Sequence, residues 1–284
     1  MIALAQVLFK YAFLPAFDIP SQLRGFDFAM LCTAIIFVTA AGNIINDIFD
    51  IKADFVNRRS RPLAQQRISI GNAYALYFTL NLLALFLIRN IAFRYQTLNL
   101  ITIVFAIIVL LYLYSKYFKK IPLFGNILVS ILVSLSFLLV IYIEAFALSD
   151  QSISNTFRYL ILGYAALAFW ANFNRELIKD VQDIKGDYAQ GITTLPILLG
   201  KSRMNILIFI STLFLIFALI IGVKVYIQPN LVFVLYLTFG TCLPLIYGLY
   251  HIYQKELKTN YKLLSNLYKS VMLAGILSLI LFWT

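Results

Sequence analysis

Only twelve acidic residues occur in 284 positions, and seven of them fall in two short stretches. The first runs Asn46-Asp47-x-x-Asp50-x-x-x-Asp54, and the second holds Glu176, Asp180, Asp183 and Asp187. Asn46, Asp50 and Asp54 recur every four residues, and the second set steps by four, three and four, so each set lies along one face of a helix. Two carboxylates about 6 Å apart repel by roughly 2.8 kcal/mol at an effective dielectric near 20, so both faces call for a cation. Lys52, Lys179 and Lys185 stand near in sequence and are one source of it. A divalent ion is the other: carboxylates with a neutral Asn form the all-oxygen donor set that suits Mg²⁺, which keeps waters and takes substrate phosphate as well. One acidic stretch at a helix end is commonly a solvated terminus. Two matching stretches beside apolar spans, where charge is expensive, point to a site.

The elements that position these residues are membrane helices. The chain is 62% hydrophobic and 12% charged, against about 45–50% and about 25% in soluble proteins. Its mean hydropathy is +0.88. Apolar runs recur near 1–17, 27–46, 71–89, 97–114, 123–143, 157–178, 203–223, 231–250 and 267–283, each close to the ~20 residues that cross a bilayer. Lipid forces every backbone bond to close within its own segment, so all are read as helices. The expected fold is an all-α polytopic membrane protein, with about nine transmembrane helices in one bundle around a central cavity and residues 1–284 as a single domain. Lys10 inside the first run, with no small-residue cleavage site after it, makes that run a span rather than a cleaved signal. Cys32 and Cys242 lie alone in apolar runs and His251 is the single histidine, which excludes a disulfide framework and Cys- or His-based metal chemistry.

A net charge of +11 would suit nucleic acid, but the placement of the cations excludes it. Seventeen of the 23 Lys and Arg follow spans two, four, six and eight, whereas Arg24, Arg89, Arg94, Arg158 and Lys224 are the five on the opposite connections. The positive-inside rule then sets the even-numbered connections and the N-terminus in the cytoplasm. Both acidic stretches sit at cytoplasmic ends of even-numbered spans. The expected location is the cell membrane, with the site facing the cytoplasm.

On these residues the chain resembles the UbiA superfamily of intramembrane prenyltransferases, whose members carry NDxxDxxxD after the second helix and DxxDxxxD after the sixth. Here these are Asn46 to Asp54 and Asp180-x-x-Asp183-x-x-x-Asp187. Arg61-Pro62, Tyr114-Ser115 followed by Lys119-Lys120 and Pro122, and Gly191-x-x-Thr194-Leu195-Pro196 support the likeness, which covers essentially the whole chain. The resemblance implies transfer of a prenyl group from a prenyl diphosphate to an acceptor, with Mg²⁺ bridging the diphosphate between the two acidic clusters. It implies Asn46, Asp50, Asp54, Asp183 and Asp187 as metal and diphosphate ligands. Asp47 and Asp180 then serve as catalytic residues, further ligands or partners of basic side chains. Arg61, Lys119, Lys120, Lys179 and Arg175 are the substrate-binding candidates; their alternative reading is topology, since cations gather on this side of any membrane protein. Tyr112, Tyr114, Phe169, Trp170 and Phe173 suit cation–π contact with a prenyl cation or ordinary packing, and stay unassigned.

Asn172-x-x-Arg175-Glu176-Leu177-Ile178-Lys179-Asp180, running on to Gly186-Asp187, looks most like the branch that transfers geranylgeranyl to geranylgeranylglyceryl phosphate in ether-lipid synthesis. A phosphorylated acceptor needs a further cation site, which Arg175, Lys185 or Arg58-Arg59 would supply. Branches that prenylate aromatic rings (4-hydroxybenzoate, dihydroxynaphthoate, homogentisate or chlorophyll-type acceptors) are the nearest alternative. Either acceptor loses a proton, for which Asp47, Asp180 and Glu176 are candidate bases. One departure is the start, MIALAQVLFKYAFL, which lacks the basic residue and Asn that head the family's first helix; it reads either as an upstream start or as a short first span. A transporter would place acids at midspan, whereas Lys10 is the one midspan charge here. The partners expected are a prenyl diphosphate, a lipophilic acceptor and membrane lipid, without nucleic acid or an obligatory protein partner.

Overall fold

In the computed structural model, residues 1–57, 61–63, 65–147, 154–226, 230–254 and 259–282 are described. Among them every regular element is helical. The helices are α1 (Ile2–Ala16), α2 (Gly25–Phe49), α3 (Ile51–Asn57), α4 (Ile70–Arg94), α5 (Asn99–Lys116), α6 (Phe124–Ala147), α7 (Asn155–Ala189), α8 (Leu195–Leu199), α9 (Lys201–Tyr226), α10 (Leu231–Gln254) and α11 (Tyr261–Phe282). Seven of them, α2, α4, α5, α6, α9, α10 and α11, are long and apolar enough to cross a membrane. The two other expected spans differ from that set. The first is the shorter α1. The sixth is part of α7, a 35-residue helix that carries Asn172, Asn174, Arg175 and Glu176 in its middle and runs on through Asp187. The count of nine therefore stands as an expectation, with seven helices meeting the requirement.

Lipid-facing surface is evident on single helices. Along α4, Phe78, Leu82, Phe86 and Phe93 are each more than half exposed, while Ala73, Tyr77, Ala84, Ile88 and Ile91 on its other side are buried. Such an apolar exterior is stable only against hydrocarbon. The two π-helical turns, Phe9–Phe13 and Thr238–Cys242, each come just before a proline, Pro15 and Pro244. A proline lacks its N–H and its ring crowds the carbonyl four residues back, here Tyr11 and Gly240; a widened turn at those carbonyls relieves the crowding.

The chain forms two compact units. One comprises 23–129 and 183–197. In it α2 packs along α4 and both meet α5, around Ala41, Ile45, Ile48, Ala73 and Tyr77 with Tyr112 against them. At the far end from the acidic motifs, the fully buried Asp27 of α2 accepts from Arg94 at 2.5 Å and from the Tyr95 hydroxyl at 2.8 Å. This pins the start of α2 to the end of α4.

The other unit comprises 1–22, 130–182 and 198–284. Here the midspan Lys10 is buried and has an answer in Glu144 of α6, which is 1% exposed. The charges stand 3.6 Å apart with Ser21 between them, accepting from Lys10 Nζ at 2.5 Å and donating to Glu144 Oε1 at 2.7 Å. The Gln22 N–H donates to the second carboxylate oxygen at 2.6 Å. Phe169, Trp170 and Phe173 pack among themselves, and Trp170 lies 4.6 Å from Phe214, which is the packing reading of those rings. Because a buried ion that loses its counter-charge is destabilised by about 3–5 kcal/mol, Glu144→Ala is expected to lower stability by about 3 kcal/mol. The paired replacement Lys10→Met with Glu144→Leu should lose far less, and thermal unfolding in detergent distinguishes them.

Candidate active site

Asn46 and Asp47 lie in the last turn of α2, and Asp50 sits at its end, where φ −93° and ψ 2° depart from helix geometry. The expected single helix through Asp54 is therefore two helices, yet the bonding pattern persists across the break: the Asp50 N–H donates to the Asn46 carbonyl at 2.9 Å and the Asp54 N–H to the Asp50 carbonyl at 2.8 Å. Asp50 and Asp54 are both buried. The Asn46 side-chain amide donates to Asp50 Oδ2 at 2.8 Å. Its own Oδ1 is buried without a hydrogen-bond partner among the described residues.

The cation that answers these carboxylates is Lys119, rather than Lys52 or Lys185, both of which are exposed. It comes from the short 3₁₀ turn Phe118–Lys120 after α5, and its ammonium donates to Asp50 Oδ2. Gly125 makes this turn possible. A Cβ there would stand 3.0 Å from both Lys119 Cα and the Phe118 carbonyl oxygen, so only a glycine lets the start of α6 pass so close. Burial disfavours the charged amine, but Asp50, Asp187 and Asp183 together outweigh it and raise the Lys119 pKa. Lys119 is thus a firm cation facing three carboxylates from both motifs. Asp187 is the counterpart: burial, aided by Asp183 and Asp50 and opposed by Lys119, pushes its carboxyl up to about 6.

Asp183 and Asp187 reach this place through a residue not singled out from the spacing of charges. Asn57, at the end of α3, donates from Nδ2 to the Asp183 carbonyl at 3.0 Å and accepts from the Gly186 N–H on Oδ1 at 3.0 Å. One amide thereby grips the backbone between the two acids. Gly186 permits the approach, since a Cβ there would lie 2.1 Å from Asn57 Nδ2 and 2.9 Å from the Ala53 carbonyl oxygen. The signal in the sequence was a glycine inside a helical pattern, which marks a close backbone approach.

Other candidates are engaged elsewhere. Arg61 donates to both oxygens of Asp47, at 2.9 and 2.6 Å, so Asp47 orients a basic side chain. Lys120 is exposed. Arg175 and Lys179 both bond Glu176, at 3.0 Å and at 2.8 and 3.0 Å; these three and Asp180 belong to the unit that holds 130–182. Arg58 and Arg59 lie outside the described residues. The expectation that Lys179 pairs with motif aspartates is replaced by its pairing with Glu176, three residues away on the same helix.

Residues 7–273 match the UbiA prenyltransferase family. The chain belongs to that family and is a membrane-embedded prenyltransferase. The digeranylgeranylglyceryl phosphate synthase of Methanobrevibacter smithii is 30% identical over 278 residues, which are 97% of this chain and 92% of that one. A solved structure of digeranylgeranylglyceryl phosphate synthase shares the fold with a TM-score of 0.66 at 23% identity, covering 98% of this chain and 93% of its own. A UbiA homolog from Archaeoglobus fulgidus bound to GPP and Mg²⁺ does so at 0.64 and 14%, covering 99% and 94%.

If Asn57 sets where Asp183 and Asp187 stand, Asn57→Ala and Gly186→Ala each lower prenyl transfer by about tenfold or more, equivalent to ~1.4 kcal/mol of barrier. Because both break one clamp, the double variant should be little worse than either alone. Steady-state turnover in detergent micelles measures this.

Proposed function

We propose that the enzyme transfers a geranylgeranyl group from its diphosphate to geranylgeranylglyceryl phosphate, a step in ether-lipid synthesis, in a Mg²⁺-dependent reaction. The observation that carries the mechanism is the set of carboxylates from both motifs, the buried Asp50 and Asp187 with Asp183, facing one lysine. The acceptor is supported by the named synthase that spans nearly the whole chain, and Lys120, exposed in the turn after α5, offers a further cation to its phosphate.

Mg²⁺ fits the residues present. The buried oxygen of Asn46 beside Asp50, without a partner among the described residues, is a ligand-grade acceptor, and the donors are all oxygen. Mg²⁺ binds through one or two carboxylates together with waters and substrate phosphate. Asn46, Asp50, Asp54, Asp183 and Asp187 would hold it. When bound, Mg²⁺ neutralises charge on the diphosphate as it leaves. Binding a diphosphate also gives Lys119 anionic oxygens to contact in addition to Asp50, so the same lysine that holds the carboxylates together serves the substrate. Arg61, held by Asp47, adds a second cation. In the reaction the allylic C–O bond to the diphosphate breaks, a glycerol hydroxyl oxygen bonds to that carbon, and the hydroxyl proton passes to a base, for which Asp47 and Asp180 are the candidates. The surplus of cations on the connections that carry the motifs supports a cell-membrane protein whose site faces the cytoplasm.

The test offers labelled geranylgeranyl diphosphate with geranylgeranylglyceryl phosphate and a panel of aromatic acceptors to the detergent-solubilised protein with Mg²⁺. Product from the glyceryl phosphate is expected, with Asp50→Ala and Asp183→Ala each losing about a hundredfold or more and chelation abolishing it. Product from an aromatic acceptor alone would keep the chemistry and change the acceptor. Turnover indifferent to both substitutions would overturn the site.

A further inference from the structure

Within the unit made of 1–22, 130–182 and 198–284 lies a cavity of about 320 Å³, in the range of about 300–1,000 Å³ typical of small-molecule sites. Its walls are apolar in an active sense, because the polar side chains along it have turned their groups to the protein. Tyr164 and Ser278 bond each other at 2.6 Å, Ser136 donates to the Val133 carbonyl at 2.7 Å, Thr241 to the Leu237 carbonyl at 2.6 Å, and Asn172 to Ser130 at 3.2 Å. A guest in this lumen meets hydrocarbon and rings and few hydrogen-bonding demands. Phe137, Tyr164 and Phe233, which line it, are backed by Phe9, Phe13 and Phe282 at ring distances of 5.7, 6.2 and 5.2 Å, so that part of the wall is rigid.

Three helices each contribute one glycine to the lining: Gly163 of α7, Gly222 of α9 and Gly275 of α11. A Cβ added to any of them would meet nothing within 4 Å. Packing glycines in the same chain behave differently. At Gly42, Gly240 and Gly248 the added carbon would touch Leu111 at 3.1 Å, Ala274 at 3.3 Å and Leu264 at 3.5 Å. Gly71, which also meets nothing, is exposed at the first turn of α4. A helix-interior glycine is unfavourable relative to alanine, and close helix packing is the usual reason for one in a membrane. At these three positions that reason is absent, and what the missing side chain leaves is room in the cavity.

The apolar lumen suits an isoprenoid chain, and we propose that Gly163, Gly222 and Gly275 determine how long a chain fits. This rests on the reading of the enzyme as a prenyltransferase whose two substrates both carry isoprenoid chains. The donor tail and the acceptor tail share the chemistry, and chain-length series separate them.

The experiment uses Gly163→Leu and Gly275→Leu, with Gly163→Val as a smaller step and Gly163→Ala as a folding control. Alanine meets open space and improves helix propensity, so that control should unfold no earlier than the unsubstituted protein. The first readout is the ratio of kcat/KM for geranylgeranyl over geranyl diphosphate, and likewise for long-chain over short-chain glyceryl phosphates. The second, which needs no turnover, is the thermal stabilisation by geranylgeraniol relative to geraniol. The leucine variants are expected to lower the long-to-short ratio at least tenfold in one of the two series, graded through valine, and to weaken stabilisation by geranylgeraniol more than by geraniol. A fall along the donor series assigns the cavity to the donor tail, and a fall along the acceptor series to the acceptor tail. Unchanged ratios, or equal losses at every chain length, overturn the proposal, as they would if the lumen merely holds a membrane acyl chain. If the unsubstituted protein turns over no substrate yet its binding of the two alcohols stays length-selective and glycine-sensitive, the functional reading fails and the cavity assignment survives.

Discussion

Like charges must be gathered at one place for this site to exist, and their repulsion is the constraint to which the surrounding structure responds. Asp50, Asp183 and Asp187 would drive apart the helix ends that carry them if nothing stood among them. Lys119 stands there, bonded to Asp50 and held charged by all three carboxylates against its own burial. At Asp187 burial adds to the repulsion from Asp183 and Asp50, and the carboxyl is raised to about 6 even with the lysine present. A site so poised has an intrinsic appetite for further positive charge.

The rest of this unit supplies the rigidity that such crowding demands. Asn57 holds the backbone between Asp183 and Asp187 rather than their carboxylates. Two glycines act by absence: Gly125 admits the lysine-bearing turn and Gly186 admits Asn57. Arg61 fixes Asp47. At the opposite end of α2, Asp27 with Arg94 and Tyr95 pins the helix whose other end carries Asn46 and Asp50, so position at the site is set from both ends.

The second unit meets a different problem with the same tools. Lys10 and Glu144 are charged groups in an apolar environment, and Ser21 and the Gln22 amide complete their hydrogen bonding. Around the cavity the polar side chains satisfy one another or the backbone, which keeps the lumen suited to hydrocarbon. Charge is thus confined to places where it is answered, and the remainder of the interior is left to packing.

The residues alone determined the class of this protein. A near-continuous series of apolar runs, a biased distribution of cations and two aspartate patterns at helical spacing required a helical membrane protein with an acidic site, because hydropathy and periodicity are local properties that lipid and helix geometry translate directly into structure. The family resemblance at Asn46 to Asp54 and Asp180 to Asp187 was legible for the same reason. Tertiary structure decided which cation meets the acids, since Lys119 is 69 residues from Asp50 and nearer lysines offered equal charge. It decided the break at Asp50, which turns one expected helix into two. It also disclosed Asn57, whose partner lies 126 residues away. No local pattern encodes such pairings: they depend on which helices pack together and how each is rotated, and an apolar membrane helix carries little periodic signal to fix that rotation.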